Sequence, residues 1–150
     1  MLKLDTLSYK YVIKADRTEF FNTLMALQLD YFKQNDPRIQ QLDEGTSISC
    51  QLPTKVQKLD VQSQITVKKI ESNQAFVLET LSSSGTIRQS FLFSQDKKGR
   101  DILTYSEENH YNQARSQYSF MLVGFLYQFF YNRQMAKRME RVDQIALSNS

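Results

Sequence analysis

Residues 112–147 read NQARSQYSFMLVGFLYQFFYNRQMAKRMERVDQIAL, and this closing stretch decides how the rest of the chain is read. Tyr118, Met121, Leu122, Phe125 and Phe129, then Met135, Met139, Val142 and Ile145, recur mostly at three- and four-residue steps, the period of one long helix. Its first half is apolar almost all round and is expected to be enclosed on more than one side. Its second half is amphipathic, with Arg133, Lys137 and Arg141 at four-residue steps. The most hydrophobic run, Tyr118 to Tyr131, is interrupted by Gly124 and Gln128 and falls short of the roughly 20 residues of a membrane span. Such a helix needs a surface to cover, and the sequence ahead of it supplies one.

Leu7, Tyr9, Tyr11 and Ile13 alternate with Ser8, Lys10, Val12 and Lys14, the period of a strand with one buried face. A helix is predicted next. Asp16 and Glu19 have capping-box spacing, Phe20, Leu24, Leu27 and Tyr31 form its apolar stripe, and Phe21, Met25 and Phe32 widen it. Asn35-Asp36-Pro37 ends it, because the residue before a proline resists the helical region. One more helical turn is expected over 38–42.

Five strands are predicted between there and the closing helix. Ile48, Cys50 and Leu52 share a face of the first. Leu59, Val61, Ser63, Ile65 and Val67 line one side of the second, with Lys58, Asp60, Gln62, Gln64, Thr66 and Lys68 on the other. A turn at Glu71-Ser72-Asn73 leads to Phe76, Leu78 and Thr80, and Ser82 to Gly85 turns the chain again. Ile87, Gln89, Phe91 and Phe93 form the next inward row. Asp96-Lys97-Lys98-Gly99 is a hairpin loop with glycine at a left-handed position, and Leu103, Tyr105 and Glu107 finish the meander. An antiparallel meander cannot cover its own apolar face, so the closing helix is its natural lid. The fold class is α+β, in a single domain over 1–150.

This order of elements resembles the helix-grip fold of the START and birch-pollen-allergen superfamily. There a curved antiparallel sheet wraps round a long C-terminal helix, with a helical insertion after the first strand. The resemblance rests on Tyr9 to Ile13, the helix from Asp16 with its Asp36-Pro37 break, the strands from Ile48 to Glu107 and the helix after Asn112. More narrowly, the chain is similar to a small uncharacterised family from Gram-positive bacteria placed in that superfamily. The resemblance implies a cavity between sheet and long helix, of the kind used for apolar ligands such as lipids or polyketides. A few superfamily members are cyclases or aromatase-like enzymes and others bind protein clients. The resemblance brings no family-wide catalytic motif.

Composition narrows the function classes. A hydrophobic content of 41% in 150 residues supports a packed core. A net charge of +3 is no nucleic-acid signature, so no nucleic-acid partner is expected. One cysteine precludes an internal disulfide, and the first residues lack a signal-peptide core, so a soluble, cytoplasmic protein is expected. Gly45, Gly85, Gly99 and Gly124 are isolated, forming neither a phosphate loop nor a dinucleotide fingerprint, and no cofactor is expected. With His110 the only histidine and no cysteine pair, no metal site is expected either.

His110 could act as an acid/base beside Glu107 and Glu108, but its outward parity at a strand end reads as plain exposure. Cys50 reads as a small buried hydrophobe. Arg133, Lys137, Arg138 and Arg141 could meet acidic lipid heads, yet cations also suit a helix C-terminus, and Glu140 and Asp143 dilute the patch. Glu107 is the informative residue. It shares parity with Leu103 and Tyr105, and Gln89 lies on the same predicted face of the neighbouring strand. An inward carboxylate is costly unless paired, so Gln89, Tyr105 and Glu107 could form the polar end of a cavity that orients a ligand's hydroxyl or carbonyl; equally, Glu107 could lie at the sheet rim, solvated or salt-bridged to a lysine or arginine. Tyr9, Tyr11, Ile65, Phe76, Phe91, Tyr118, Leu122 and Phe125 would line the remainder, although aromatic rows at these spacings also build plain cores. The reading favours a non-enzymatic module binding a lipid-like or other small apolar or amphipathic molecule. Two alternatives remain open: a cyclase- or aromatase-type enzyme using Glu107 and a tyrosine, and a protein-interaction module with a filled core.

Overall fold

The structure, a computed structural model, describes residues 6–53, 60–82, 85–111 and 135–148. Six strands form one curved antiparallel sheet: β1 (Thr6–Val12), β2 (Ser47–Pro53), β3 (Asp60–Glu71), β4 (Ala75–Ser82), β5 (Gly85–Gln95) and β6 (Asp101–Tyr111). Helix α1 (Arg17–Asn35) follows β1, and the C-terminal helix, α2, is described over 135–148. The strand order β1-β6-β5-β4-β3-β2 makes β2 to β6 a simple meander, with β1 added beside β6. After β1 the chain must therefore cross from one sheet edge to the other. Five inter-strand steps of about 4.8 Å span about 24 Å, and a helix of 19 residues rising about 1.5 Å each runs about 28 Å. The inserted helix has the length that the crossing needs.

Strand parity places the inward rows as the sequence suggests. Phe76, Leu78 and Thr80, Phe91 and Phe93, and Leu103, Tyr105 and Glu107 are all buried. One irregularity has no counterpart in the simple alternation. Between Val67 and Lys69 the register of β3 against β4 shifts by one residue, a β-bulge. Strict alternation from Val67 would turn Lys69 inward. The bulge absorbs Lys68, so that Ile70 packs against the core and Lys69 stays exposed. A bulge also sharpens the local bend, which suits a sheet that wraps. The turns follow as predicted, with Gly99 at φ 77 in the β5–β6 hairpin and Asn73 at φ 60 in the β3–β4 turn.

Helix α1 is capped by Asp16, whose carboxylate accepts from the amides of Thr18 (3.1 Å) and Glu19 (3.3 Å). Its end follows from Pro37, with the Asp36 amide donating to Phe32 O and Asp36 itself extended. The extra helical turn expected over 38–42 does not form. Instead the Asp36 carboxylate takes the Arg38 amide at 3.1 Å, a local turn that competes with helix. The apolar stripe also differs from expectation. Phe20, Phe21, Thr23, Leu24 and Phe32 are buried, whereas Leu27 and Tyr31 are 38% and 37% exposed. Burial therefore passes from Tyr31 to Phe32, about 100° further round the helix.

The first turns of α1 seat on the sheet through ring contacts of Phe20 and Phe21 with Phe93, at centroid distances of 6.0 and 5.5 Å. The described turns of α2 bury Met135, Met139, Val142 and Ala146 in the same core. Ile145, expected to face inward, is only half-buried, and Ala146 takes its place against the core. Tyr118, Leu122, Phe125 and Gly124, and the side chain of Cys50, lie outside the described residues.

Candidate ligand-binding face

The inward face of β4, β5 and β6 is built in rows that cross the strands. One row places Phe76, Phe91, Tyr105 and Tyr9 side by side through the registers Phe76↔Phe91, Phe91↔Tyr105 and Tyr9↔Tyr105. Its rings touch, with centroids 5.8 Å apart for Phe76–Phe91 and 4.8 Å for Phe91–Tyr105. The next row holds Leu78, Gln89 and Glu107 through Leu78↔Gln89 and Gln89↔Glu107. Beyond it Ile65 and Thr80 oppose each other, and Thr80 and Ser63 are buried polar side chains. The inward face thus runs from aromatic to polar along the strands.

The three polar residues singled out in the sequence are joined. Gln89 Nε2 donates to the Tyr105 hydroxyl at 2.8 Å, and that hydroxyl donates to Glu107 Oε2 at 2.9 Å. The polarity of the chain follows from the ends. Tyr105 has one proton, spent on the carboxylate, so only a donor can approach its oxygen, and Gln89 must present its amide N–H. Glu107 is 6% exposed and Tyr105 2%. A carboxylate so enclosed is costly unless it receives hydrogen bonds, and the relay supplies one from within the sheet.

Tyr11 has a different partner from its neighbours on that face. Its hydroxyl donates to Asp143 Oδ2 at 2.7 Å, and Asp143 also accepts from the amides of Lys14 (2.9 Å, Oδ2) and Ala15 (2.8 Å, Oδ1). The need for this clamp is local. The β1–β6 ladder ends at Val12, with Ile13 N donating to Asp101 O at 2.9 Å, and α1 begins only at Arg17. The two amides between have no ladder or helix acceptor, and a carboxylate from α2 satisfies both. Burial, the hydrogen bond to Asp143 and its charge push the Tyr11 phenol well above its ordinary value. The Tyr9 phenol is also raised, by burial and then by Glu140. Asp143 is 2% exposed, so the expectation that it dilutes a surface basic patch is corrected: it belongs to the core. Sequence reasoning missed it because its three donors lie 128 to 132 residues away in the chain.

The other candidates are placed plainly. His110 is exposed on the outward side, 3.7 Å from Glu108. Lys137, Arg138 and Arg141 are exposed on α2, and Arg133 lies outside the described residues. Among the described residues no group of three His, Cys, Asp or Glu side chains could hold a metal ion, and no helix is long and apolar enough to cross a membrane. A cleft of about 240 Å³, lined by residues of β1 that include Lys10, Tyr11 and Val12 and by Ser94, Ile102 and Thr104, does not include the relay residues.

A family model described as "Domain of unknown function (DUF3284)" matches residues 8–128. The chain belongs to the DUF3284 family. No curated protein matches it. Among solved structures, this DUF3284 chain is similar to Ara h 8.0201, with a TM-score of 0.56 at 8% identity, covering 95% of this chain and 97% of that one. It is similar to the di-domain ARO/CYC StfQ from the steffimycin biosynthetic pathway at TM-score 0.62 and 7% identity, covering 97% of this chain and 51% of that one. A protein from Staphylococcus epidermidis matches at TM-score 0.60 and 10% identity, over 100% of this chain and 94% of its own. At these identities the likeness is one of fold, and the fold of this DUF3284 member is the helix grip.

Proposed function

We infer that this protein is a non-enzymatic binding module whose inward sheet face receives a small apolar or amphipathic ligand. The aromatic row of Tyr9, Tyr105, Phe91 and Phe76 would take the apolar body, and Gln89, Tyr105 and Glu107 would orient a polar group. The observation that carries the reading is the relay. A sheet face meant only for packing has no use for a half-buried glutamine and a buried glutamate in register, beside a row of rings and joined through a phenol. The likeness to a di-domain ARO/CYC structure supports a ligand-sized space on this fold and keeps an enzymatic role in view, with Glu107 and Tyr105 as the acid/base pair. Against catalysis stands the relay itself. The Tyr105 proton is committed to Glu107 and its oxygen to Gln89, an arrangement that fixes groups in place.

Native mass spectrometry of the protein purified from its expression host, followed by titration with N-phenyl-1-naphthylamine, tests the reading. A co-purifying small-molecule mass, or saturable probe fluorescence weakened by Phe91→Ala, is the expected result. An apo mass with no saturable fluorescence would favour a filled core and an interaction role.

A further inference from the structure

The cleft of about 240 Å³ on the β1 side of the sheet is built from two adjacent rows of side chains. Lys10 stands opposite Thr104, and Val12 stands opposite Ile102, which in turn pairs with Ser94. Their parity is opposite to that of Phe93, Leu103 and Tyr105, which are buried, so these side chains belong to the face turned away from the core. Apolar surface is exposed here. Val12 is 38% exposed within the cleft, and Leu92, the partner of Thr104, is 44% exposed beside it. The charges are uneven. The Asp96 carboxylate, also in the lining, is taken up by its own hairpin: it accepts from Arg100 Nε at 2.7 Å and from the amides of Lys98 and Arg100 at 2.9 Å each. The Lys10 ammonium, by contrast, has no carboxylate within ion-pair distance and no hydrogen bond among the described residues. Nor have the hydroxyls of Ser94 and Thr104 a hydrogen-bond partner there.

We propose that this cleft binds a small monocarboxylate carrying a compact apolar body, an aryl or branched-chain acid. One cation left without a counter-charge matches one negative charge. The ammonium and the Thr104 hydroxyl, carried by directly opposed residues, both give protons to an ionised acceptor, the stronger class of hydrogen bond. Val12 and Ile102, opposed in the next row, take the apolar body. The volume is room for about eight waters and suits a body of about ten non-hydrogen atoms. It lies below the roughly 300–1,000 Å³ of sites for larger ligands, which leaves no place for a long acyl chain. A lysine on an edge strand also discourages chance pairing with another chain. That role asks only for a charge, and it leaves the two free hydroxyls and the exposed valine without a purpose. The site is separate from the inward face and does not depend on the function proposed for it.

The test is titration of the ¹⁵N-labelled full chain with 4-methylbenzoate, followed through amide chemical shifts. It is repeated with 4-methylbenzamide, a neutral molecule of the same shape, and with inorganic phosphate. Saturable shifts centred on Lys10, Val12, Ile102 and Thr104 are expected for the acid, with the amide at least about fivefold weaker. Lys10→Gln should reduce that preference to about twofold or less, and Lys10→Arg, which keeps the charge, should retain it. Val12→Thr keeps the β-branched shape and should weaken acid and amide alike. Both positions are exposed, so the variants leave the core intact. Equal affinity for acid and amide, or a preference that survives Lys10→Gln, overturns the proposal. So do shifts that never saturate or that spread over Lys14, Lys97 and Lys137, the mark of unspecific attraction of anions. Phosphate giving the same shifts at equal or lower concentration would mean that the cleft reads charge alone, and overturns the part played by the apolar body. Shifts centred on Gln89 and Phe91 would remove this site while favouring binding at the inward face.

Discussion

At the scale of single residues the structure is held by carboxylates in unusual places. Asp143 receives a phenol and two backbone amides. Asp143→Ala strands all three donors and is expected to cost about 3 kcal/mol or more, while Asp143→Asn, which turns an NH₂ toward donors, should cost about 1–3 kcal/mol. Urea unfolding reads both, and a cost under about 0.5 kcal/mol for the alanine variant would mean the clamp is absent in solution. Tyr11 carries a pH dependence whose sign is fixed. Its folded-state value is raised above the ordinary 10.0, so the stability it contributes is complete below about pH 10 and falls as pH rises further, when only the unfolded chain ionises. Tyr11→Phe should therefore cost about 1.5–3 kcal/mol at pH 7, and the gap to the parent should close by up to about 1.4 kcal/mol per pH unit above pH 10. Unfolding midpoints at pH 8, 10 and 11 check this, and a gap that stays constant or widens with pH contradicts it. The Glu107 relay was legible in the sequence, because parity in two neighbouring strands places Gln89, Tyr105 and Glu107 on one face. Asp143 was not, since its reason for being buried is a pair of amides at the other end of the chain.

At the scale of elements, most of what the sequence announces is local periodicity, and local periodicity is what survives. The strands, the Asp16 cap, the Pro37 stop and the Gly99 hairpin each depend on residues a few positions apart. The bulge at Val67–Lys69 and the rotation of burial along α1 depend on what lies opposite, and the two adjacent lysines give no sign of which will be the extra one. The helix stripe offers a direct check. Leu24 is 3% exposed and Leu27 38%, although both belong to one apolar stripe when the helix is read alone. Leu24→Ala should cost about 2–5 kcal/mol, whereas Leu27→Ala should cost less than about 1 kcal/mol. Thermal melts of the two variants would expose a wrong seating of α1 if Leu27→Ala proved the more damaging. The N-terminus of α1 is also tied to the sheet through Arg17, which meets Asp101 at 3.0 Å and Ser94 O at 2.8 Å. This anchor fixes where the helix starts its crossing, and Phe32 in its last turn is buried in the core at the other end.

At the scale of the whole molecule the chain closes on itself late. Strands β2 to β6 pair in sequence order, each with a neighbour a short turn or loop away, but β1 must find β6 across about a hundred residues and Asp143 must find the β1–α1 junction from near the chain end. Loop-closure entropy makes such distant contacts expensive until the intervening structure has formed, so folding on the order of milliseconds to seconds is expected, with the meander assembled first. The clamp is then a contact made after the folding transition state. Its loss should act almost wholly on the return path: Asp143→Ala should leave the refolding rate within about twofold of the parent and raise the unfolding rate by most of its equilibrium cost, about a hundredfold for 3 kcal/mol. Stopped-flow refolding and unfolding across urea separates the two limbs. A refolding limb slowed in proportion to the lost stability would place Asp143 in the nucleus and show that the C-terminal helix docks before the sheet is complete. Such a result would also change how the site assembles. The Tyr9 and Tyr11 side of the sheet face would then be fixed by the helix from the outset, with the Gln89–Tyr105–Glu107 relay added to a partly closed grip.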